Sequence, residues 1–148
     1  MDLNDDPART DAEHCFVCGP KNPIGLRIPF VFNGGVCRGE FLPNDNHAGF
    51  DGVTHGGIIF SVLDDLMANW LFLQKGRGFT AKCEIRFRDP LPVGQKIAVE
   101  CHLKRRKGRL LQLESKALRD DGRLVAEAEA SFMIDDFGDI KDPTPVQP

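Results

Sequence analysis

The stretch from Thr54 to Met67 carries residue types that together could perform acyl-transfer chemistry. It begins Thr-His-Gly-Gly, continues as an apolar run with helical spacing, and includes Asp64 about two turns further along. The first N–H groups of a helix lack intrahelical partners and lie at the positive end of its dipole, so the Gly57 N–H could stabilise a developing oxyanion. A carboxylate on the same helix could activate water. The pattern therefore predicts an acyl-transfer site that needs no serine triad.

Asp64 belongs to a row of small and polar residues on this helix. The row runs Gly57, Ser61, Asp64 and Ala68, at intervals of three or four residues. Such a row is compatible with a solvent-facing stripe or with close backbone packing, and most aspartates are solvated. If a sheet and a partner subunit enclose the helix, a groove with a carboxylate at its base is the better account. Asp64 is therefore the first candidate for a catalytic acid.

The elements that must position this helix are strands separated by turn signals. We expect a helix over 56–74 and strands over 26–32, 36–42, 79–87, 97–103, 111–117 and 124–134. Asn33-Gly34-Gly35 is typical of a hairpin turn, and Lys75-Gly76 of a basic last turn with a C-cap glycine. Short links make the strands antiparallel. The order β-β-α-β-β-β-β predicts an α+β fold in which one six-stranded antiparallel sheet wraps one long helix.

Length and composition fit one globular domain. The chain has 148 residues and a formal net charge of −3, which gives no support to nucleic-acid binding. No apolar run approaches a membrane span, and the acidic start is unlike a secretory signal. Five cysteines without a framework spacing favour a reduced, cytoplasmic chain. We expect flexible tails at 1–14 and 136–148 around a domain at 15–135.

Cys15 and Cys18 have the spacing of a zinc knuckle, with His14 beside them. A structural zinc needs four ligands, and no second close pair of Cys or His follows. We therefore expect a plain turn here and no metal. Cys83 and Cys101 fall on inward strand faces and are expected in the core as small apolar residues.

Several short motifs together resemble one known family. They are Cys15-x-x-Cys18-Gly19, Asn22-Pro23-x-Gly25-Leu26, His47-x-Gly49-Phe50-x-Gly52, His55-Gly56-Gly57, Leu63-Asp64-Asp65-x-Met67 and Arg88-x-Pro90-x-Pro92-x-Gly94. In this combination the chain resembles hot-dog-fold acyl-CoA thioesterases of the phenylacetic-acid-degradation (PaaI-like) type over most of its length. Each motif alone is weak evidence for the family, but the combination is specific. The resemblance implies a hot-dog fold and hydrolysis of an acyl-CoA thioester without a metal or other cofactor, CoA being part of the substrate.

The resemblance also implies roles for three residues. Asp64 would activate water or attack the thioester carbonyl, and the Gly57 N–H would polarise that carbonyl. Thr80 matches a Ser or Thr that orients the water in related enzymes. Strict alternation, however, places Thr80 on the strand face opposite Phe79 and Cys83. It can serve only if the strand start is irregular or that face meets a partner subunit.

Neighbouring residues are secondary candidates. His55 is expected to fix the turn before the helix, and His47 either approaches the substrate carbonyl or caps its loop. Asp65 lies on another side of the helix, where it can pair with Arg86 or Arg88, and it is the fallback acid.

The CoA phosphates require cations. Residues 104–109 form the one dense basic run, at a predicted hairpin tip, which is either a solvated turn or a phosphate contact. Candidate contacts to the substrate or its CoA are Gly56, Asp65, Arg88, Arg105, Arg106 and Arg109.

Two other functions stay open at this point. One is a hot-dog hydratase or dehydratase, which uses an acid with a histidine, although the prolines expected in the His47 loop are missing. The other is a non-catalytic acyl-CoA-binding module. The expected partners are a small acyl-CoA molecule and further copies of the chain, since one helix cannot cover such a sheet or protect its edges. We expect a homodimer or homotetramer, and no nucleic-acid or membrane partner.

Overall fold

One helix and six strands make up the domain in a computed structural model that describes residues 11–140. The elements are β1 (Val31–Asn33), β2 (Val36–Phe41), a 3-10 turn (Asp45–His47), α1 (Gly56–Phe72), β3 (Arg77–Phe87), β4 (Ile97–Lys107), β5 (Leu110–Arg119) and β6 (Leu124–Asp136). The strands form one antiparallel sheet in the order β1-β2-β4-β5-β6-β3. The predicted α+β hot-dog fold and its element order are confirmed.

The core lies between α1 and the concave face of the sheet. Alternate residues of β4 face the helix, and Ile97, Val99, Cys101 and Leu103 are all buried. The helix contributes the apolar stripe that its spacing predicts, which comprises Ile59, Val62, Leu63, Leu66, Met67, Trp70 and Leu71. One sheet therefore holds one helix in a fixed orientation.

The first strand is shorter than its alternating pattern predicts, because it begins at Val31 and not at residue 26. The backbone before it bonds to the irregular segment near the N-terminal end: the Leu26 N–H donates to the Phe16 carbonyl and the Ile28 N–H to the Val17 carbonyl. These groups are satisfied outside the sheet. Residues 11–28 thus form a packed, irregular layer.

The helix ends at Phe72, two residues earlier than predicted, and Lys75 lies beyond it. The left-handed residue is Lys75, with φ 61°, so the predicted C-cap role of Gly76 is wrong. Gly76 instead allows Ile140 to pack closely against the backbone, since a Cβ at residue 76 would lie 2.9 Å from Ile140 Cδ1. Its N–H still closes the helix by donating to the Leu71 carbonyl, at 2.9 Å.

A bulge in β3 changes which face its first residues present. Thr80 pairs with Phe132 on β6, and Lys82 pairs with Ser131, so Ala81 has no partner in the register. An extra residue reverses the alternation at that point. Phe79 is consequently 56% exposed, and its predicted inward position is wrong. Thr80 takes the inward face instead.

Several described residues outside the predicted limits of 15–135 contact the rest of the chain. Asp11 forms an ion pair with Arg77, and Glu13 with Lys21. At the other end Ile140 is buried against the core. Residues 1–10 and 141–148 of the predicted tails lie outside the described residues. Among the described residues, no helix is long and apolar enough to cross a membrane.

Candidate active site

Asp64 and Thr80 meet between the middle of α1 and the start of β3. The Thr80 Oγ1 hydroxyl donates to Asp64 Oδ1 over 3.2 Å. The predicted proximity is confirmed, and the bulge at Ala81 supplies the irregular strand start that it requires. Asp64 is half-buried. Burial raises the pKa of its carboxyl, and the hydrogen bond from Thr80 partly offsets that rise.

The row of small and polar residues forms the least buried face of α1. Gly57 is exposed, and Ser61, Asp64 and Ala68 are half-buried. The Ser61 hydroxyl donates to the Gly57 carbonyl over 2.8 Å, so it bonds within the helix. In a single chain this face is partly open to solvent, with Asp64 as its carboxylate.

The amides at the start of α1 differ from the predicted arrangement. His55 is the N-cap, and its Nδ1 accepts the Gly57 N–H over 2.8 Å. The predicted turn-fixing role of His55 is confirmed, and the expectation that the Gly57 amide is bare is wrong. The Gly56 N–H, by contrast, has no acceptor among the described residues. Gly56 is therefore the available donor at this helix end.

Asp64 and these amides do not converge within one chain. Eight residues separate Gly56 from Asp64, which is about 12 Å along a helix. A carbonyl group cannot contact both at hydrogen-bonding distance. The expected convergence on one reactive carbon is wrong for an isolated chain.

His47 caps its own loop. Its Nδ1 accepts the Asn44 N–H over 2.9 Å, and its ring lies 5.4 Å from the Phe41 ring. Its carbonyl accepts the His55 N–H, which ties the loop to the start of α1. Burial lowers the pKa of His47, which favours the neutral ring that a capping acceptor needs. Of the two predicted roles, the structure gives His47 the capping one.

Asp65 faces the N-terminal segment on another side of α1. The Cys15 Sγ donates to its Oδ1 over 3.4 Å, and the Asn69 Nδ2 donates to its Oδ2 over 3.1 Å. The predicted pairing with Arg86 or Arg88 is wrong, because those residues lie on β3 and just after it. Burial and the adjacent Cys15 raise the pKa of Asp65 to about 7.

The Cys15 sulfur has polar neighbours within its own segment of the chain. The Cys18 thiol and the N–H groups of Cys18 and Val17 bond to the Cys15 sulfur and lower its pKa. The same bonding and burial raise the pKa of Cys18. The predicted turn is present, and it carries two thiols that face Asp65.

Of the four arginines predicted to contact CoA, three have partners for their side chains within the described residues. Arg88 binds Glu127 over 2.7 Å, Arg106 stacks over the Phe137 ring, and Arg109 donates to two carbonyls near the end of β6. Arg105 has no side-chain partner among the described residues. It is the free cation of the predicted phosphate contacts.

The basic hairpin lies at the same end of the sheet as Thr80. One register row crosses the sheet from Thr80 through Phe132 and Leu111 to Arg106. With about 4.8 Å between strands, the hairpin tip is on the order of 14 Å from Thr80. Phe132 and Leu111 in this row are buried core residues, so the row gives the separation of the two ends and is not itself a binding surface.

Sequence reasoning missed the surroundings of the two aspartates. Asn69, which is 2% exposed, binds Asp65, and its position four residues along α1 was the available signal. Cys83 packs against the core as predicted but is only half-buried. Burial and the charge of Asp64 raise the pKa of Cys83 to about 11, so it is a protonated thiol at neutral pH.

The sequence and the fold were compared with those of known proteins. Residues 51–126 match the family model of the thioesterase superfamily, a range that includes Asp64 and Thr80. A crystal structure of a thioesterase superfamily protein has a TM-score of 0.76 at 23% identity, over 81% of this chain and 63% of that one. The chain thus spans less than two thirds of that protein. No curated protein matches the sequence.

Two further solved structures share the fold. A hypothetical thioesterase from Streptococcus pneumoniae, solved with coenzyme A, has a TM-score of 0.69 at 13% identity over 74% of this chain and 86% of that one. It has also been solved with alanine replacing an aspartate and, separately, a threonine. The E. coli PaaI protein from the phenylacetic acid degradation operon has a TM-score of 0.68 at 16% identity over 73% and 83%. With the family model matched and the hot-dog fold in place, the chain belongs to the thioesterase superfamily.

Proposed function

We propose that this protein hydrolyses an acyl-CoA thioester to the free acid and CoA, with Asp64 as the catalytic carboxylate. The observation that carries the proposal is the half-buried Asp64 side chain held by the Thr80 hydroxyl at 3.2 Å. In the S. pneumoniae protein the aspartate and threonine replaced by alanine are sixteen positions apart, the separation of Asp64 and Thr80. The coenzyme A in that protein's structure supports the same ligand class.

In the proposed reaction, the Asp64 carboxylate accepts a proton from a water molecule that adds to the thioester carbonyl carbon. The tetrahedral intermediate then breaks its C–S bond, and the proton passes from Asp64 to the departing CoA sulfur. Attack by the carboxylate itself, followed by hydrolysis of the resulting anhydride, gives the same products. Thr80 bonds Oδ1, which leaves Oδ2 without a partner among the described residues and available to the water or carbonyl.

A second copy of the chain is proposed to supply the oxyanion donor, because Gly56 and Asp64 are too far apart within one helix. β3 is an eleven-residue edge strand, and Phe79 and Phe87 on it are more than half exposed. An unpaired edge of this length is a template for another strand. Antiparallel pairing of two β3 strands about a two-fold axis would set two α1 helices side by side in opposite directions. Gly56 of the partner subunit would then face Asp64.

Two substitutions at Gly56 test the donor. Gly56→Pro removes the N–H at the helix position that tolerates proline best, and His55 before it already has extended backbone, with φ −62° and ψ 130°. Gly56→Ala keeps the N–H, and its Cβ would meet the Phe87 ring at an ordinary 3.4 Å. We expect Gly56→Pro to lower kcat about 10²- to 10³-fold and Gly56→Ala to stay near wild type.

Mixing variants tests whether the site spans two copies. Gly56→Pro and Asp64→Asn chains, refolded together, form mixed dimers with one intact site each. We expect the mixture to recover about a quarter of wild-type activity, since half of the dimers are mixed and each has one of two sites. Absence of recovery would exclude Gly56 of the partner subunit as the oxyanion donor, and it would leave the role of Asp64 standing.

Arg105 is proposed to contact the CoA phosphates, with Arg106 close by on the same hairpin. Its guanidinium has no described partner, and the tip lies on the register row that begins at Thr80. Arg88 and Arg109 are held by Glu127 and by backbone carbonyls, so they are weaker candidates. None of the five cysteines, which all lie among the described residues, forms a disulfide, and this supports a reducing, cytoplasmic setting.

The decisive assay follows release of free thiol from short, medium and aryl acyl-CoA substrates. We expect turnover by the wild type, and loss of turnover with retained CoA binding by Asp64→Asn. Tight binding without turnover by the wild type on the whole panel would support a non-catalytic binding module. Loss of enoyl absorbance without thiol release would support a hydratase. Equal turnover by Asp64→Asn would remove Asp64 from the mechanism.

A further inference from the structure

Cys15, Cys18 and Asp65 form a cluster outside the proposed catalytic pair. One ligand atom from each residue lies within 4.8 Å of the others. The two cysteines come from the irregular N-terminal segment, and the aspartate comes from α1, about 50 residues later. We propose that these three side chains bind one zinc ion. The cluster is hereafter called the thiol–carboxylate cluster.

The separations in the cluster are close to those of a tetrahedral site. With Zn–S bonds of about 2.3 Å and Zn–O bonds of about 2.0 to 2.2 Å, neighbouring ligand atoms lie roughly 3.3 to 3.8 Å apart. The Cys15 Sγ and Asp65 Oδ1 already lie 3.4 Å apart. The remaining pairs need to close by about 1 Å at most, which small rotations about χ1 supply.

The chemistry of the cluster favours a thiophilic divalent cation. Two thiolates select zinc and its neighbours over magnesium or calcium, which prefer oxygen ligands. The Asp65 carboxylate bonds to Cys15 and Asn69, and no described Lys or Arg forms an ion pair with it. A partly buried group of acids without a basic partner is stabilised by a cation.

Asn69 forms hydrogen bonds to two of the proposed ligands. Its Nδ2 donates to Asp65 Oδ2 over 3.1 Å and approaches the Cys18 Sγ at 3.6 Å. Such outer contacts orient metal ligands and fix their geometry. Cys15 is half-buried, whereas Cys18 is buried, so solvent can reach the cluster and a water molecule can be the fourth ligand.

The ion would clip the irregular layer to the helix. Residues 11–28 contain no strand or helix, and their attachment to α1 at this point depends on side chains. Closing a loop of some fifty residues with a metal stabilises the folded chain, because the unfolded chain has no preformed site.

Cobalt titration of the reduced, chelator-treated full-length protein tests the site. We expect one Co²⁺ per chain, a thiolate-to-cobalt charge-transfer band, the d–d absorption of a tetrahedral centre, and loss of both on adding Zn²⁺. Zinc should also raise the thermal midpoint of the wild type as its concentration exceeds Kd.

Matched variants identify the ligands. Cys15→Ser and Asp65→Asn should weaken cobalt binding by more than about 100-fold and remove the zinc-dependent rise in midpoint. Cys83→Ser and Asp64→Asn are the controls, because each changes the same residue type outside the cluster, and both should bind cobalt as the wild type does.

The wild-type protein alone can overturn the proposal, so it does not depend on the variants folding. Reduced protein that binds no stoichiometric cobalt, or binds it without a charge-transfer band, has no such site. Unchanged binding by both Cys15→Ser and Asp65→Asn would contradict the assignment of ligands. A disulfide between Cys15 and Cys18 that persists in millimolar thiol would also overturn it, since the thiolates would then be unavailable.

Discussion

Asp64 and Asp65 are adjacent residues of one helix with different neighbours. The helix turns them about 100° apart, so Asp64 faces the start of β3 and Asp65 faces the N-terminal segment. Asp64 receives one hydroxyl, from Thr80, and Asp65 receives the Cys15 thiol and the Asn69 amide. The comparison teaches that geometry around the helix, and not residue type, gives two adjacent carboxylates different partners, and the two proposed roles, hydrolysis and metal binding, rest on those partners.

The largest expected effect comes from exchanging the two carboxylates for amides one at a time. Asp64→Asn should lower kcat for thiol release by about 10²- to 10⁴-fold, because an amide cannot accept the proton from water. Asp65→Asn should leave kcat within a few-fold. Steady-state kinetics on one acyl-CoA substrate, with both variants at equal concentration, measure the difference.

Stability should show the opposite order. Asp64→Asn removes a charge that burial disfavours, so it should leave the free energy of unfolding equal or higher. Asp65→Asn should lower it in the presence of zinc, because a ligand is lost. Urea denaturation measures both. A large fall in kcat for Asp65→Asn with an unchanged value for Asp64→Asn would reverse the two assignments.

Thr80→Val tests the hydrogen bond that distinguishes Asp64 from its neighbour. The variant keeps the shape of the side chain and removes the donor, so we expect kcat to fall about tenfold, as a hydrogen bond to a charged group is worth roughly 1.5 to 3 kcal/mol. Thr80→Ser restores the hydroxyl and should recover most of the activity. If valine and serine behave alike, the hydroxyl has no part in the reaction.

The fold and the Asp64 side of this comparison were open to prediction from the sequence. Alternating apolar residues and turn signals gave the element order, and the resemblance to the family linked Thr80 to Asp64. The bulge at Ala81 was not predictable, because a bulge adds one residue to a strand without a distinctive residue type. It alone decides that Thr80, and not Phe79, faces the helix.

The Asp65 side was beyond prediction for a different reason. Cys15 and Cys18 gave a recognisable spacing, but their third partner lies about 50 residues away on a helix. Contacts between distant segments depend on how an irregular layer packs, and irregular backbone has no periodic pattern to read. The partner of the Gly57 N–H was also not predictable. Only the structure shows that this N–H donates to the His55 ring.

A double-mutant cycle on Asp65 and Asn69 measures how the second carboxylate is held. We expect Asn69→Ala to lower the free energy of unfolding by about 1 to 3 kcal/mol, because it leaves a partly buried carboxylate short of a donor. The coupling energy in metal-free protein should be about 0.5 to 3 kcal/mol. Strictly additive effects of the two substitutions in urea denaturation would mean that the 3.1 Å contact contributes nothing.

The smallest expected effect concerns the hairpin tip that shares a register row with Thr80. Arg105→Gln should raise KM about threefold, because an exposed ion pair with a phosphate is worth on the order of 0.2 to 1 kcal/mol, and should leave kcat unchanged, since this contact is equal in ground and transition states. The rise should shrink as salt is added.

Arg123→Gln is the matched control. Arg123 is an exposed arginine just after the β5–β6 turn, at the other end of β5, and the KM of this variant should equal that of the wild type. Arg105→Gln should also leave the cobalt spectrum of the thiol–carboxylate cluster unchanged, because the hairpin contributes no residue to that cluster. An unchanged KM at low salt would place the CoA phosphates elsewhere on the chain or on its partner subunit.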